Sequence, residues 1–138
     1  MKALLDTNSC IYVIRHKPSE ILSRFAQHIV GDLGISSITV AELQDGVERS
    51  QRPEQNREAL NQFLIPLAIV DFDYEAALAY GRIRADPEAQ GLPIGSLDLL
   101  IAAQAVSLGL TLVTHNTREF LRVPGLRVED WTIYTSPL

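Results

Sequence analysis

The stretch between Gly95 and Gly109 constrains the fold more than any other. Ser96-Leu97-Asp98-Leu99-Leu100-Ile101-Ala102-Ala103-Gln104-Ala105-Val106-Ser107-Leu108 reads as a helix that is apolar on nearly every side and carries one charge, Asp98. A helix of that kind belongs in the middle of a fold, not on its surface. An ionised carboxylate taken into such surroundings is costly unless something compensates it. At 138 residues and 46% hydrophobic content, the chain can build one real core, so a single domain over residues 1–138 is expected around this helix.

Taken in order, the chain alternates short apolar runs with helical spacings. Ala3-Leu4-Leu5 reads as a strand ending at Asp6-Thr7-Asn8, and Ile11, Ile14 and Arg15 begin a helix. Pro18 suits the first residue of a second helix with Ile21, Leu22, Phe25 and Ile29 on one face and Gly31 closing it. Leu33 to Ile38 reads as a second strand, after which Thr39 opens a helix with Val40, Leu43 and Val47 sharing a face. The polar run from Ser50 to Arg57 is a loop, because Pro53 already starts another helix through Ala59, Leu60, Phe63 and Leu64. Leu67 to Val70 is a third strand, Asp73 caps the next helix, and Gly91-Leu92-Pro93-Ile94-Gly95 is a breaker-rich loop. Leu110 to Thr114 is a fourth strand, a short helix starts in the His115-Asn116-Thr117-Arg118-Glu119 segment, and Leu126-Arg127-Val128 is a weak fifth strand before the Trp131-Thr132-Ile133-Tyr134 tail. This pattern predicts an α/β three-layer sandwich: a central, mainly parallel sheet flanked by helices, with a ligand site at the carboxyl ends of the strands.

Composition narrows the setting. The single cysteine, Cys10, lies in an apolar run, so it reads as a plain buried thiol in a reducing compartment. No signal peptide or membrane-spanning run is read, and a cytoplasmic location without membrane attachment is expected. A net charge of −5 argues mildly against nucleic acid as a partner, unless several of the acids hold cations.

The acids fall at one kind of place. Asp6 follows the first strand, Glu42 lies in the first turn after the second, Asp98 opens the apolar helix, and Asn116 and Glu119 follow the fourth strand. In a parallel sheet these positions share one edge. Helix capping suffices for most of them singly: Thr39-x-x-Glu42 matches a capping box, Asn116-x-x-Glu119 nearly does, and Ser96 with Asp98 suits an N-cap and first-turn acid. Asp6 differs, since it ends an apolar strand and Thr7 could itself cap. Capping also requires neither a lone charge on an apolar helix nor a shared edge, so a joint metal site is the stronger reading. Carboxylates without paired cysteine or histidine suit Mg²⁺ or Mn²⁺. Such an arrangement activates water against a phosphodiester, which is nuclease chemistry. His16, His28 and His115 have no ligand spacing; His115 falls beside the site, where assistance to proton transfer is one reading and a polar loop tip the stronger one.

These residues resemble the PIN-domain ribonucleases, and among them the VapC toxins of bacterial toxin–antitoxin pairs. The matching stretches are Leu4-Leu5-Asp6-Thr7-Asn8, Ser36 to Leu43, Pro93-Ile94-Gly95 with Asp98 to Ala103, and Leu112 to Phe120 continuing to Pro124-Gly125-Leu126. The resemblance implies an Mg²⁺- or Mn²⁺-dependent endoribonuclease with Asp6, Glu42 and Asp98 as its acidic core. Many PIN domains have an aspartate where this chain has Asn116, which leaves the fourth acidic position to Glu119. It also implies that Thr7 orients Asp6, that Asn116 supports the site, that the chain forms a homodimer, and that the substrate is a structured RNA such as transfer RNA. A VapB-like antitoxin is the implied partner, its tail lying in a groove near the acids. Arg118 and Arg122 are candidates for holding RNA phosphates at the rim, as are Arg15, Lys17, Arg49 and Arg52.

Two rival readings remain. A receiver or phosphatase-like domain also gathers acids at strand ends, but the only lysines are Lys2 and Lys17, and Asn8 replaces the second acid of an Asp-x-Asp motif. A catalytically silent PIN-like binding module would keep the same acids without turnover.

Overall fold

The computed structural model describes residues 1–86, 91 and 94–132. Leu92 and Pro93 of the breaker-rich loop, and Ile133 and Tyr134 of the tail, lie outside the described residues. In chain order the elements are β1 (Ala3–Leu5), α1 (Thr7–His16), α2 (Ser19–Ala26), β2 (Leu33–Ser36), α3 (Ser37–Glu48), α4 (Pro53–Leu64), β3 (Ala68–Val70), α5 (Tyr74–Ala85), α6 (Ser96–Leu108), β4 (Thr111–Val113), α7 (Thr117–Phe120) and β5 (Arg127–Glu129).

The five strands form one sheet in the order β3-β2-β1-β4-β5, and every pairing is parallel. The chain winds outward from β1 to β2 and β3 on one side, then crosses to β4 and β5 on the other. The switch of direction therefore falls between β1 and β4, where the carboxyl ends of an open parallel sheet leave a crevice. Alternation along β1 sends Ala3 and Leu5 into one core and Leu4 into the other. The first core is closed by α1, α2, α3 and α4 through Cys10, Val13, Ile21, Leu43, Val47 and Leu60. The second is closed by α5, α6 and α7 through Ala79, Ile83, Ile101, Ala102 and Phe120. Full burial of each leucine or isoleucine contributes about 1.5–3 kcal/mol, so the two layers reinforce β1 from both faces.

The apolar helix expected at the centre is α6. Leu99 and Ile101 to Ala105 are buried, and Gly109 ends the helix in the left-handed region at φ +66°. Only a residue without a Cβ adopts that turn cheaply. Leu97 and Leu108 at its ends are exposed, so α6 is buried through its middle only. The small residues of α5 allow a close approach, and α5 against α6 is the most extensive helix pairing of the fold.

Several boundaries differ from expectation: β3, β4 and β5 are shifted or trimmed by a residue, and Pro18 is the N-cap of α2 and not its first residue. β2 ends at Ser36 and not Ile38, because the Ser36 hydroxyl accepts the Ile38 N–H at 3.0 Å and starts α3 early. Thr39 is consequently inside the helix and does not open it. The second helix stops at Ala26, well before Gly31, and leaves Ile29 exposed where a shared apolar face was expected. Within the described part of the tail, Trp131 is buried, edge-on to Phe25 and stacked on His28, with the Arg24 guanidinium over its ring.

Gln104 is the polar residue that the apolar reading of α6 passed over. Its Nε2 donates to the carbonyls of Val70 and Asp71, both at 3.0 Å, and so satisfies the backbone where β3 ends. Gln104→Leu leaves both carbonyls unpaired and should lower the unfolding free energy by about 1 kcal/mol or more. Urea titration checks this, and an unchanged midpoint at constant slope would show that the two bonds contribute nothing net.

Candidate active site

Asp6 is the first residue after β1, and backbone pairing of Leu5 with Val113 sets it opposite Thr114 at the end of β4. Its carboxylate is almost completely buried, at 2% exposure. One oxygen, Oδ1, accepts the Ser9 N–H at 2.8 Å, and the other, Oδ2, accepts the Thr114 hydroxyl at 2.6 Å. Asp6 is thus the N-cap of α1, with extended backbone at φ −78° and ψ 168°. The expectation that Asp6 escaped a capping role is corrected: a strand that passes straight into a helix makes its last extended residue the cap. Thr114 is itself fixed, because its hydroxyl oxygen accepts the Asn116 N–H at 3.0 Å.

Thr7 does not orient Asp6, contrary to what the resemblance implied. Its side chain leaves the first turn of α1 toward α3, where its hydroxyl donates to Glu42 Oε1 at 2.6 Å and lies 3.2 Å from the Thr39 hydroxyl. Thr39 and Glu42 are three residues apart and share one face of α3. The orienting hydroxyl for Asp6 is Thr114, which sequence reasoning placed in a strand and gave no task. Its signal was the β1–β4 pairing, which sequence alone does not reveal.

Of the capping readings for the other acids, the side-chain caps do not form, while Asp98 and Glu119 do stand in the first turns of α6 and α7, where the helix dipole favours an acid. Ser36, and not Thr39, caps α3. Gly95 stands at the N-cap of α6 with no side chain to offer, which puts Ser96 and Asp98 inside the helix. Asn116 occupies the N-cap of α7 but makes no side-chain cap bond there.

Asp98 senses all the other acids. Its carboxyl is pushed up to about 6, first by burial and then by the charges of Asp6, Glu42 and Glu119. The charges of Asp6, Glu42 and Glu119, carried by the β1–α1 junction, α3 and α7, therefore all reach Asp98 on α6 at the carboxyl edge of the sheet. Among the described residues, however, no three carboxylate, thiol or imidazole groups stand close enough to form a ready-made metal-ligand set. Glu42 is drawn to Thr7, and Asp6 is shared by Ser9 and Thr114. The donor set still fits a hard divalent cation, being all carboxylate oxygen with mutual repulsion that a cation would relieve. Cys10 adds nothing: burial, and then the Asp6 charge, push its thiol well above the ordinary range, where it stays protonated.

Around the acids the charges change sign. Arg118 and Arg122 are exposed and have no ion pair among the described residues. Arg49, in contrast, is engaged by Asp45 at 3.0 Å within its own helix. On the other flank a groove of about 190 Å³ runs between α1, α3 and α4, lined by Ile11, Ile14, Leu43, Val47 and Leu60, with Arg15 and Glu42 also on its wall.

Residues 3–126 match the family model described as the PIN domain. Over 132 residues the chain is 46% identical to the tRNA(fMet)-specific endonuclease VapC of Shigella flexneri, covering 96% of this chain and 99% of that protein. It is 50% identical to Ribonuclease VapC2 of Haemophilus influenzae over 131 residues, 95% of this chain and 98% of the relative. Its fold superposes on a chain of the DNA-bound VapBC crystal structure from Salmonella typhimurium with a TM-score of 0.90 at 45% identity, covering 95% of this chain and 98% of that one. The chain belongs to the PIN-domain family and, within it, to the VapC ribonucleases.

The raised carboxyl of Asp98 has a consequence for stability. The folded state holds this proton more tightly than the unfolded chain, so its contribution to stability declines as pH rises from 3.8 towards about 6. Asp98→Asn removes the repulsion. In EDTA at neutral pH its thermal midpoint should lie a few degrees above wild type, and the difference should vanish below about pH 4. Scanning calorimetry at the two pH values checks this, and a variant markedly less stable than wild type would make Asp98 structural.

Proposed function

We propose that this chain is the toxin of a toxin–antitoxin pair, an endoribonuclease that cleaves structured RNA such as transfer RNA using Mg²⁺ or Mn²⁺ held by Asp6, Glu42, Asp98 and Glu119. The observation that carries the metal site is the mutual repulsion focused on Asp98, pushed up to about 6 by burial and by the other three acids. The names of the relatives, ribonuclease and tRNA(fMet)-specific endonuclease, support the reaction and the class of RNA. The chemistry such a cation supplies is activation of water and neutralisation of charge developing on the phosphodiester.

This chain's own residues prepare for that task. Thr114 and Ser9 hold Asp6 in one orientation, so the carboxylate loses little freedom when the site fills. Thr7 anchors Glu42, which lies in the second turn of α3 and not the first as expected, and keeps its charge at the sheet edge. Asn116, whose N–H is bonded to Thr114, takes a supporting place at the rim and leaves the fourth carboxylate to Glu119. Arg118 and Arg122 contact phosphates of the RNA beyond the cleaved bond, an assignment supported by their exposure and by their having no ion pair among the described residues. They offset locally a net charge of −5.

The partner is a VapB-like antitoxin, as the VapBC assembly of the Salmonella relative suggests. The apolar groove between α1, α3 and α4 receives its tail, and Glu42 on the groove wall brings that tail beside the acids. The homodimer, the single domain over residues 1–138 and the cytoplasmic location rest on the family resemblance and composition. Among the described residues no helix is long and apolar enough to cross a membrane.

Purified protein, freed of its partner and given total transfer RNA with Mg²⁺ or Mn²⁺, should produce discrete fragments on a denaturing gel. EDTA should abolish cleavage, and Asp6→Ala should slow it at least about a hundredfold. Because Asp6→Ala also removes a helix cap worth about 1 kcal/mol, its circular dichroism is compared with wild type in parallel. Cleavage indifferent to both treatments would remove the acids from the mechanism, and no cleavage under any condition would favour a silent binding module.

The groove is tested separately. A Cβ built on Gly46, which lines it, meets nothing within 4 Å. Gly46→Leu should therefore fold at least as stably, since glycine within a helix costs about 1 kcal/mol, yet weaken antitoxin binding about tenfold by filling the groove. Titration calorimetry against the antitoxin reads the change, and undiminished affinity would place the partner elsewhere.

A further inference from the structure

His115 lies between Thr114, which holds Asp6, and Asn116, at the carboxyl end of β4, and its side chain is 70% exposed. A polar loop tip needs no internal partner. This one has an unusual one: Asp130, just beyond β5, whose side chain is only 7% exposed. Asp130 Oδ1 accepts the Thr132 N–H at 2.8 Å and the Thr132 hydroxyl at 2.5 Å. Its Oδ2 lies 3.1 Å from His115 Nδ1, and the Thr132 hydroxyl oxygen lies 2.9 Å from the same nitrogen. The hydroxyl proton of Thr132 is committed to Asp130, and a carboxylate can only accept. Nδ1 must therefore carry the proton and donate it to Asp130 and Thr132 together.

That assignment fixes the ring. With Nδ1 protonated, the neutral imidazole presents Nε2 as a bare acceptor. No hydrogen bond to Nε2 exists among the described residues. A nearly buried carboxylate is thus used to orient an exposed imidazole beside the acids, with Arg118 and Arg122 following along the same rim. RNA differs from DNA by the ribose 2′-hydroxyl, a donor that an oriented acceptor can read.

We propose that His115, oriented by Asp130 and Thr132, accepts a hydrogen bond from a ribose 2′-hydroxyl of bound RNA and so contributes to the choice of RNA over DNA. This deepens the ribonuclease reading and rests on it for the identity of the ligand. In the resulting division of labour, the arginines attract the backbone of any nucleic acid while His115 asks whether it is ribose. His115 is a substrate-positioning residue, and Asp130 acts only through it.

The test measures fluorescence anisotropy in EDTA with a short labelled single-stranded RNA and the DNA of the same sequence, on the full chain freed of its partner. His115→Ala should weaken RNA binding about fivefold, the worth of one net hydrogen bond, and leave DNA binding unchanged. His115→Gln, which keeps an acceptor, should recover part of the loss, while His115→Phe, equally planar but without one, should not. Equal losses on RNA and DNA, or no loss on either, would overturn the proposal. Cleavage of transfer RNA with Mg²⁺ supplies the second readout: His115→Ala should raise KM about fivefold with kcat unchanged, and a fall in kcat at constant KM would also overturn it. Because binding is read without turnover, a protein that binds RNA through His115 yet never cleaves it would refute the nuclease reading and leave this contact standing.

Discussion

The whole carboxyl edge of the sheet depends on one buried carboxylate, that of Asp6. A charge so nearly excluded from water must have its oxygens satisfied by donors in fixed places. One donor is the Ser9 N–H, available only because β1 turns directly into α1, and the other is the Thr114 hydroxyl, available only because β4 lies beside β1. The capping bond and the strand order are thus two halves of one requirement. If β4 were moved to another place in the sheet, Asp6 would lose half of its hydrogen bonding.

Hydroxyl groups carry much of the order at the site. Thr7 holds Glu42, Thr39 lies against Thr7, Thr114 holds Asp6, and Ser9 reaches the Val113 carbonyl at 3.3 Å. All are buried, small and uncharged, and the two that donate to carboxylates, Thr7 and Thr114, direct them without neutralising them. A lysine or arginine in the same place would cancel the negative field that makes the site useful to a cation. Asp98 shows that the field survives, since its carboxyl feels the other three acids together with its own burial. Cys10, under the same influence, is held as an inert thiol and serves packing.

Charge is arranged by side as well as by depth. The acids occupy the crevice, exposed arginines and an oriented imidazole follow β4 and α7, and an apolar groove borders α1, α3 and α4. Glu42 belongs to both the acid site and the groove wall. Nucleic acid on the first flank and a peptide segment on the second would consequently meet at the same residues, a geometry in which occupation of the groove bears directly on the site.

The sequence by itself determined the alternation of strands and helices, the central place of α6 and the line of acids at strand-to-helix junctions, because hydrophobic period and punctuation are local properties. From the motifs around Asp6, Glu42, Asp98 and Asn116 the family was legible as well. Tertiary structure decided what each of those residues does. Asp6 was read as the acid least explained by capping and is the one acid of the site whose side chain caps; Thr7 was assigned to Asp6 and binds Glu42; Thr114 stood inside a matching stretch with no task of its own, and Asp130 carried no local mark. The physical reason is the same in each case. A hydroxyl or carboxylate is short and its partner is fixed by strand order and register, so Thr114 meets Asp6 across 108 positions of sequence only when β1 and β4 lie side by side.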